Sequence, residues 1–179
     1  VAYVFEPIPH LVEYIRDKSK DFSDRYHLYQ TAVSDYNGSS KFFIDGVGIG
    51  ASSLNTFVDN VHSLFPGRIN LNVTDVIDVE VTRLDTFIEK NNLKFDKIDY
   101  FHCDTQGSDL KVLQGLGDYI HLVQEGVVEC PRLDSTKVYK ESHTAQEMTE
   151  FLTSKGFVVT RSESNDEWAN EVNLYFKKA

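Results

Sequence analysis

Three apolar, strand-like runs in this chain each end on a carboxylate: Glu6 after Tyr3-Val4-Phe5, Asp104 after Ile98–Cys103, and Glu129 after Gly126-Val127-Val128. A fourth run, opening at Tyr26, ends at Ser34-Asp35. Neighbouring parallel strands deliver their last side chains to one edge, where α/β proteins bind ligands. Converging there, these groups line a single cleft. A carboxylate ending the second strand of a nucleotide-binding fold can accept both ribose hydroxyl protons, and Glu6 has that placement. The plainer role for Glu6 is to cap the next helix. Asp104 stands before a glycine turn, where it can orient an acceptor hydroxyl, anchor a cofactor's polar tail, or close an Asx turn. Glu129 precedes Cys130-Pro131 and serves either catalysis or a structural hydrogen bond. His102, two residues before Asp104, can act as a base or simply pack in its strand.

Those groups need a scaffold, and hydrophobic periodicity supplies one. Ala2–Phe5 reads as a strand. Ile8, Leu11, Val12 and Ile15 then follow the spacing of an amphipathic helix, with Pro9 in the first turn where its missing N–H costs nothing. The pattern predicts a strand over 26–33, a turn over 34–38 and an added strand over 40–44. A glycine-rich loop over 45–53 leads into an irregular stretch, partly helical near 54–64. Strands follow at 76–81 and Ile98–Cys103, with a short helix over 84–91 between them. Ser108 is the expected cap of a helix that turns Leu110, Leu113 and Leu116 inward. A strand over 122–129 ends at Pro131, which cannot donate to a ladder. Thr144 and Glu147 form a capping box, Met148, Phe151 and Leu152 a buried stripe, and Gly156 a helix end. Residues 157–162 and 171–177 pair as an antiparallel hairpin. This order predicts one α/β domain over 1–179, with a doubly wound, mostly parallel sheet, helices on both faces and a C-terminal antiparallel hairpin.

Composition narrows the partners. The chain carries 28 acidic against 18 basic residues, a formal net charge of −10. Such a surface repels phosphate backbones, and no Lys/Arg stripe offsets it, so nucleic acid is excluded as a partner. The expected substrate is neutral, cationic, or held by specific groups rather than by the overall field. No apolar run approaches the roughly 18 residues that a membrane span needs, and no basic, apolar-cored leader opens the sequence. Membrane association is therefore not expected, and the cytoplasm is the expected location. Cys103 and Cys130 read as buried, reduced thiols, and neither cysteines nor histidines have metal-ligand spacing.

One motif points elsewhere. Gly46-Val47-Gly48-Ile49-Gly50-Ala51 satisfies G-x-G-x-x-A, the dinucleotide fingerprint of NAD-type oxidoreductases. That fingerprint should open a βαβ unit with an acidic residue about 20 positions on at a strand end. Here the window instead precedes the strand over 76–81, and the strand before the glycines follows a tight turn, as an antiparallel addition does. A loop over the cleft is the better reading.

Taken in order, Val4-Phe5-Glu6-Pro7, Ala32-Val33-Ser34-Asp35, Ser52-Ser53-Leu54, Thr82-Arg83-Leu84-Asp85 and the stretch from Asp104-Thr105-Gln106-Gly107 through Leu110-Lys111-Val112-Leu113 resemble FkbM-type methyltransferases. The similarity spans nearly the whole chain. It implies a class I methyltransferase fold, S-adenosylmethionine as cofactor, and methyl transfer to a hydroxyl oxygen of a sugar or other small molecule. By this resemblance Glu6 and Pro7 lie at the ribose, Val33 and Ser34 flank the adenine, and Asp104 faces the methyl-donor side. Asp104 is then the expected base, with Glu129 supporting it and no metal required. Two departures accompany the resemblance. Family members carry a strand and a D-x-G-x-x-x-G-like loop upstream of the position of Ala2. The chain therefore reads as lacking the first strand and glycine loop, which predicts weak cofactor binding or a domain that acts by interaction alone. Second, Gln106 stands where members often have Glu, so it keeps hydrogen bonding without charge.

Overall fold

Strand β1 (Ala2–Phe5) pairs in parallel with β2 (Tyr26–Tyr29), Ala2 opposite Tyr26 and Phe5 opposite Tyr29. The geometry comes from a computed structural model, which describes residues 1–46, 50–66, 71–164 and 170–179. Helix α1 (Pro9–Ser19) links the two strands, with Pro9 at its start and Val12 buried, as its periodicity predicts. The strand expected over 26–33 is in fact two. Tyr26–Tyr29 stays with β1, whereas β3 (Ala32–Val33) crosses to another sheet. Thr31 makes the break: its hydroxyl donates to the Glu80 carbonyl at 3.0 Å, so a side chain takes over from the ladder.

Strand β5 (Val73–Thr82) lies between β3, with which it runs parallel, and β4 (Gly38–Asp45), with which it runs antiparallel. A short helix, α2 (Val61–Leu64), falls within the stretch between β4 and β5. Helix α3 (Leu84–Lys90) follows β5, and its Phe87 packs edge-on against Phe5 and Tyr29 at 4.9 and 4.6 Å between ring centroids. These three rings join the β1–β2 pair to the rest of the chain.

The third sheet has the order β6 (Ile98–Cys103), β7 (Val123–Pro131), β9 (Glu171–Lys178), β8 (Phe157–Ser164). Helices α4 (Asp109–Gly115) and α5 (Ala145–Ser154) cover the face that carries Cys103, Val128, Leu174 and Phe176. On the other face Tyr100 is 52% exposed, and its cross-strand neighbours Glu125 and Lys177 are exposed too. The described residues thus form an α/β fold of one parallel strand pair and two mixed sheets, not one mostly parallel sheet wound on both faces. The physical cause is local. The hairpin return sets β9 antiparallel between β7 and β8, and the turn at 34–38 sends β4 back antiparallel along β5.

Other expectations hold. The capping box at α5 is present, Glu147 N–H donating to Thr144 Oγ1 at 3.3 Å and Thr144 N–H to Glu147 Oε2 at 2.7 Å. The terminal hairpin pairs antiparallel. β7 runs on to Pro131, two residues beyond the expected 129, because β6 ends opposite Val128. From there only the side toward β9 needs partners, so a proline is tolerated. Cys103 and Cys130 are buried free thiols. No helix among the described residues is long and apolar enough to cross a membrane.

Candidate functional site

Where β1 ends and the loop after β6 begins, a cavity of about 390 Å³ opens, lined by both Glu6 and Asp104. Its wall is apolar over Phe5, Ile8, Leu11, Val33, Phe42 and Leu54, and Pro7 completes the rim beside Glu6. The floor is a small core of Ile8, Ala32, Phe42, Val79 and Val81. Glu6, Pro7, Val33 and Asp104 therefore meet at one rim. Ser34 does not: it is buried behind the end of β3, its N–H bonded to the Thr82 carbonyl. A Cβ on Gly115 would come within 2.2 Å of the Ser34 carbonyl oxygen, so α4 packs directly on that strand end. His102 is exposed and does not line the cavity.

Glu6 Oε1 accepts the Ile8 N–H at 2.8 Å at the start of α1, and the residue also lines the cavity. Burial raises its pKa, partly offset by the Ile8 N–H and by His10.

Asp104 and Glu129 are joined through a residue that sequence reasoning set aside. Gln106 Nε2 donates to Asp104 Oδ1 at 2.5 Å and to Glu129 Oε2 at 3.0 Å. Gln106 adopts φ +54 and Gly107 φ +94, so the loop turns through two left-handed residues. A Cβ on Gly107 would lie 2.8 Å from Tyr139, which is why glycine stands there. Two contacts hold Gln106 in this conformation. Ser53 Oγ donates to its backbone carbonyl at 2.6 Å. Tyr139 Oη lies 2.6 Å from Gln106 Oε1 and 3.1 Å from the Ala51 carbonyl, and its one proton serves these two acceptors. The nearby Asn55 Nδ2 donates to Ser108 Oγ at 2.9 Å. Ser108 is thus engaged sideways and makes no cap bond, contrary to expectation.

The start of α4 is secured instead by Asp109. Its Oδ2 accepts the Thr105 N–H at 3.1 Å and the Thr105 hydroxyl at 2.9 Å, and its Oδ1 accepts the Glu129 N–H at 3.0 Å. One buried carboxylate therefore ties the Asp104 loop to β7. Burial pushes Asp109 up to about 6 despite these donors. The sequence carried weak signals for these partners: a buried-type Ser-Ser-Leu-Asn run and an Asp in the first turn of a helix.

Glu129 is 3% exposed. Burial, reinforced by Glu171, Asp104 and Asp109, holds its carboxyl well above the usual carboxylate range. The stability consequence has a definite sign. In the unfolded chain Glu129 ionises near its ordinary 4.5, whereas the folded protein keeps the proton. Its contribution is complete below that value and declines as pH rises toward the folded pKa. Glu129→Gln, which mimics the neutral acid, is expected to remove about 1 kcal/mol of stability loss per pH unit above pH 6. Urea melts at pH 6, 7 and 8 measure this, and parallel pH curves for the two proteins count against it.

Among the described residues, no three His, Cys, Asp or Glu side chains are placed to hold a metal ion. The G-x-G-x-x-A segment includes residues 47–49, which lie outside the described residues, but its preceding strand β4 is antiparallel to β5 and opens no βαβ unit.

Comparison with known proteins agrees with the fold. A solved structure of methyltransferase FkbM from Methylobacillus flagellatus KT matches with a TM-score of 0.57 at 13% identity, covering 97% of this chain. This chain in turn spans 36% of the length of that one. No curated protein matches. The family profile described as the methyltransferase FkbM domain matches residues 1–159, a stretch that includes Glu6, Asp104, Gln106 and Glu129. The chain belongs to the FkbM methyltransferase domain family.

Proposed function

We propose that this protein is an S-adenosylmethionine-dependent O-methyltransferase of the cytoplasm, acting on a hydroxyl of a small molecule or sugar within a class I methyltransferase fold. One observation carries the reading: a cavity has Glu6 at the end of β1, Asp104 after β6, an apolar wall between them, and no lysine or arginine among the described residues of its lining. An apolar wall suits a purine, and a strand-end carboxylate suits a ribose diol. Two carboxylates with no cation among the described lining residues suit a positively charged sulfonium and disfavour the pyrophosphate of a dinucleotide, which needs N–H donors or cations.

When bound, S-adenosylmethionine supplies a methyl group already activated on sulfur. The chain's own residues then have three tasks. Glu6 holds the ribose hydroxyls, and Phe5, Val33 and Leu54 exclude water from the base. Asp104 takes the acceptor hydroxyl's proton as the new oxygen–carbon bond forms. Alignment of acceptor and donor supplies much of the rate, because an in-line displacement on an activated methyl needs little else.

Calorimetric titration of the protein with S-adenosylmethionine and with NAD tests the reading, followed by transfer of labelled methyl to a panel of sugars and hydroxylated small molecules. Binding of S-adenosylmethionine with no NAD binding, then label in a hydroxylated acceptor, is expected. Binding of NAD makes the protein an oxidoreductase, and binding of neither leaves a domain that acts through interaction; either result removes the proposal.

A further inference from the structure

Two groups that the methyl-transfer reading leaves without a task, Gln106 and Tyr139, connect the buried interior to Asp104. Gln106 Nε2 donates to Asp104 Oδ1 at 2.5 Å, and Tyr139 Oη lies 2.6 Å from Gln106 Oε1 at the other side of the amide. A phenol that donates on one side and a carboxylate that accepts on the other hold the amide one way round. The nitrogen also reaches Glu129 Oε2 at 3.0 Å, and a carboxyl oxygen accepts there whether or not its group carries a proton.

We propose that Tyr139 and Gln106 are positioning residues for the methyl transfer: Tyr139 orients the Gln106 amide, and Gln106 in turn orients Asp104. This role rests on the methyltransferase reading, in which Asp104 takes the acceptor's proton. The need for it is geometric. Asp104 is exposed at the first position after β6, where an aspartate can sample several rotamers. A base must stay within hydrogen-bond reach of the proton it removes. A bond to Oδ1 fixes the plane of the carboxylate and so the direction of its other oxygen.

Such a brace works only if its far end is fixed, and here it is. Tyr139 is 1% exposed, and its ring packs beside Phe57 at 5.4 Å between centroids. Its backbone bridges to Phe57, and Lys140 N–H donates to the Thr56 carbonyl at 3.0 Å. Gln106 is held by its backbone as well, through Ser53 Oγ at 2.6 Å. From the core outward, burial falls from Tyr139 through half-buried Gln106 to exposed Asp104. A methionine in place of Gln106 has similar length but offers Asp104 no donor.

Two measurements test the proposal. The first needs no cofactor: exchange of the Gln106 side-chain amide protons with water, followed by NMR and assigned through Gln106→Met. Exchange roughly tenfold slower than at the exposed Gln30 is expected, quickening in Tyr139→Phe, which keeps the ring and loses the hydroxyl. The second is kinetic, with the acceptor that takes up labelled methyl. Gln106→Met should lower kcat roughly tenfold, while the Kd of S-adenosylmethionine stays within about twofold of the parent. Tyr139→Phe should show the same split with a smaller fall in kcat, and it serves alone if Gln106→Met fails to fold. Amide protons that exchange as fast as those of Gln30 overturn the proposal. So does full kcat in the variants that fold, or a fall in kcat matched by an equal loss of affinity. A parent that neither binds S-adenosylmethionine nor transfers methyl removes the methyltransferase reading and this role with it. Slow exchange at Gln106 would then show the brace without the reaction, so the two failures are told apart.

Discussion

Glu6→Ala is expected to weaken S-adenosylmethionine binding on the order of a hundredfold. A carboxylate that accepts both ribose hydroxyls makes two charge-assisted hydrogen bonds, each contributing about 1.5 kcal/mol or more, and about 3 kcal/mol corresponds to that factor in Kd. Glu6 also accepts the Ile8 N–H at the start of α1, so Ala removes that hydrogen bond as well, at about 1 kcal/mol of stability. Glu6→Gln separates the two effects. Its amide oxygen can still accept from Ile8, but its NH2 presents donors where the second ribose hydroxyl needs an acceptor. The Gln protein should therefore melt within about a degree or two of the parent, since the bond to Ile8 is kept, and yet bind nearly as poorly as the Ala protein. Calorimetry with thermal melts reads both quantities. Full affinity in Glu6→Gln would remove the ribose assignment whatever the melts show.

The second large effect concerns Asp109, which does not line the cavity. Removing its side chain strips the acceptor from two buried backbone donors, Thr105 N–H and Glu129 N–H. Each orphaned donor costs about 2 kcal/mol, so Asp109→Ala should lose about 4 kcal/mol at pH 4. The cost then falls with pH. Asp109 is raised from 3.8 to about 6 by burial, so the folded state binds its proton more tightly than the unfolded chain does. That stabilisation is complete below about 4 and is lost as pH rises through about 6, a total of about 3 kcal/mol. The variant has no such group, and the gap between the two proteins should shrink to about 1 kcal/mol by pH 7. Denaturant unfolding at pH 4, 5.5 and 7 decides the matter. A gap that widens with pH means that Asp109 is stabilised as an anion, and the structural account of its burial is then wrong. Because Asp109 ties the Asp104 loop to β7, loss of catalysis in this variant would follow the loss of stability.

Much of this architecture is legible in local pattern. β1 and β6 have the expected limits, α5 has its Thr144–Glu147 box, and the last two strands pair as a hairpin, because each of these depends on residues a few positions apart. Glu6 and Asp104 line one cavity, as expected, although β1 and β6 lie in separate ladders and not in one parallel pair. The order of the ladders was not legible. Residues 26–33 look like one strand, and the crossover to β5 turns on a hydroxyl of Thr31 meeting the carbonyl of Glu80, 49 residues away.

The interior of the site was equally hidden. Gln106 read as a lost charge until its left-handed backbone aimed its amide between Asp104 and Glu129. Tyr139 lies 33 residues from Gln106 and Asp109 lies 20 from Glu129. No periodicity carries such pairings. Hydrophobic spacing reports which face of an element is buried, and strand-end chemistry reports where ligands arrive. Which polar groups become partners depends on the packing that removes them from water, and only packing makes each partner necessary.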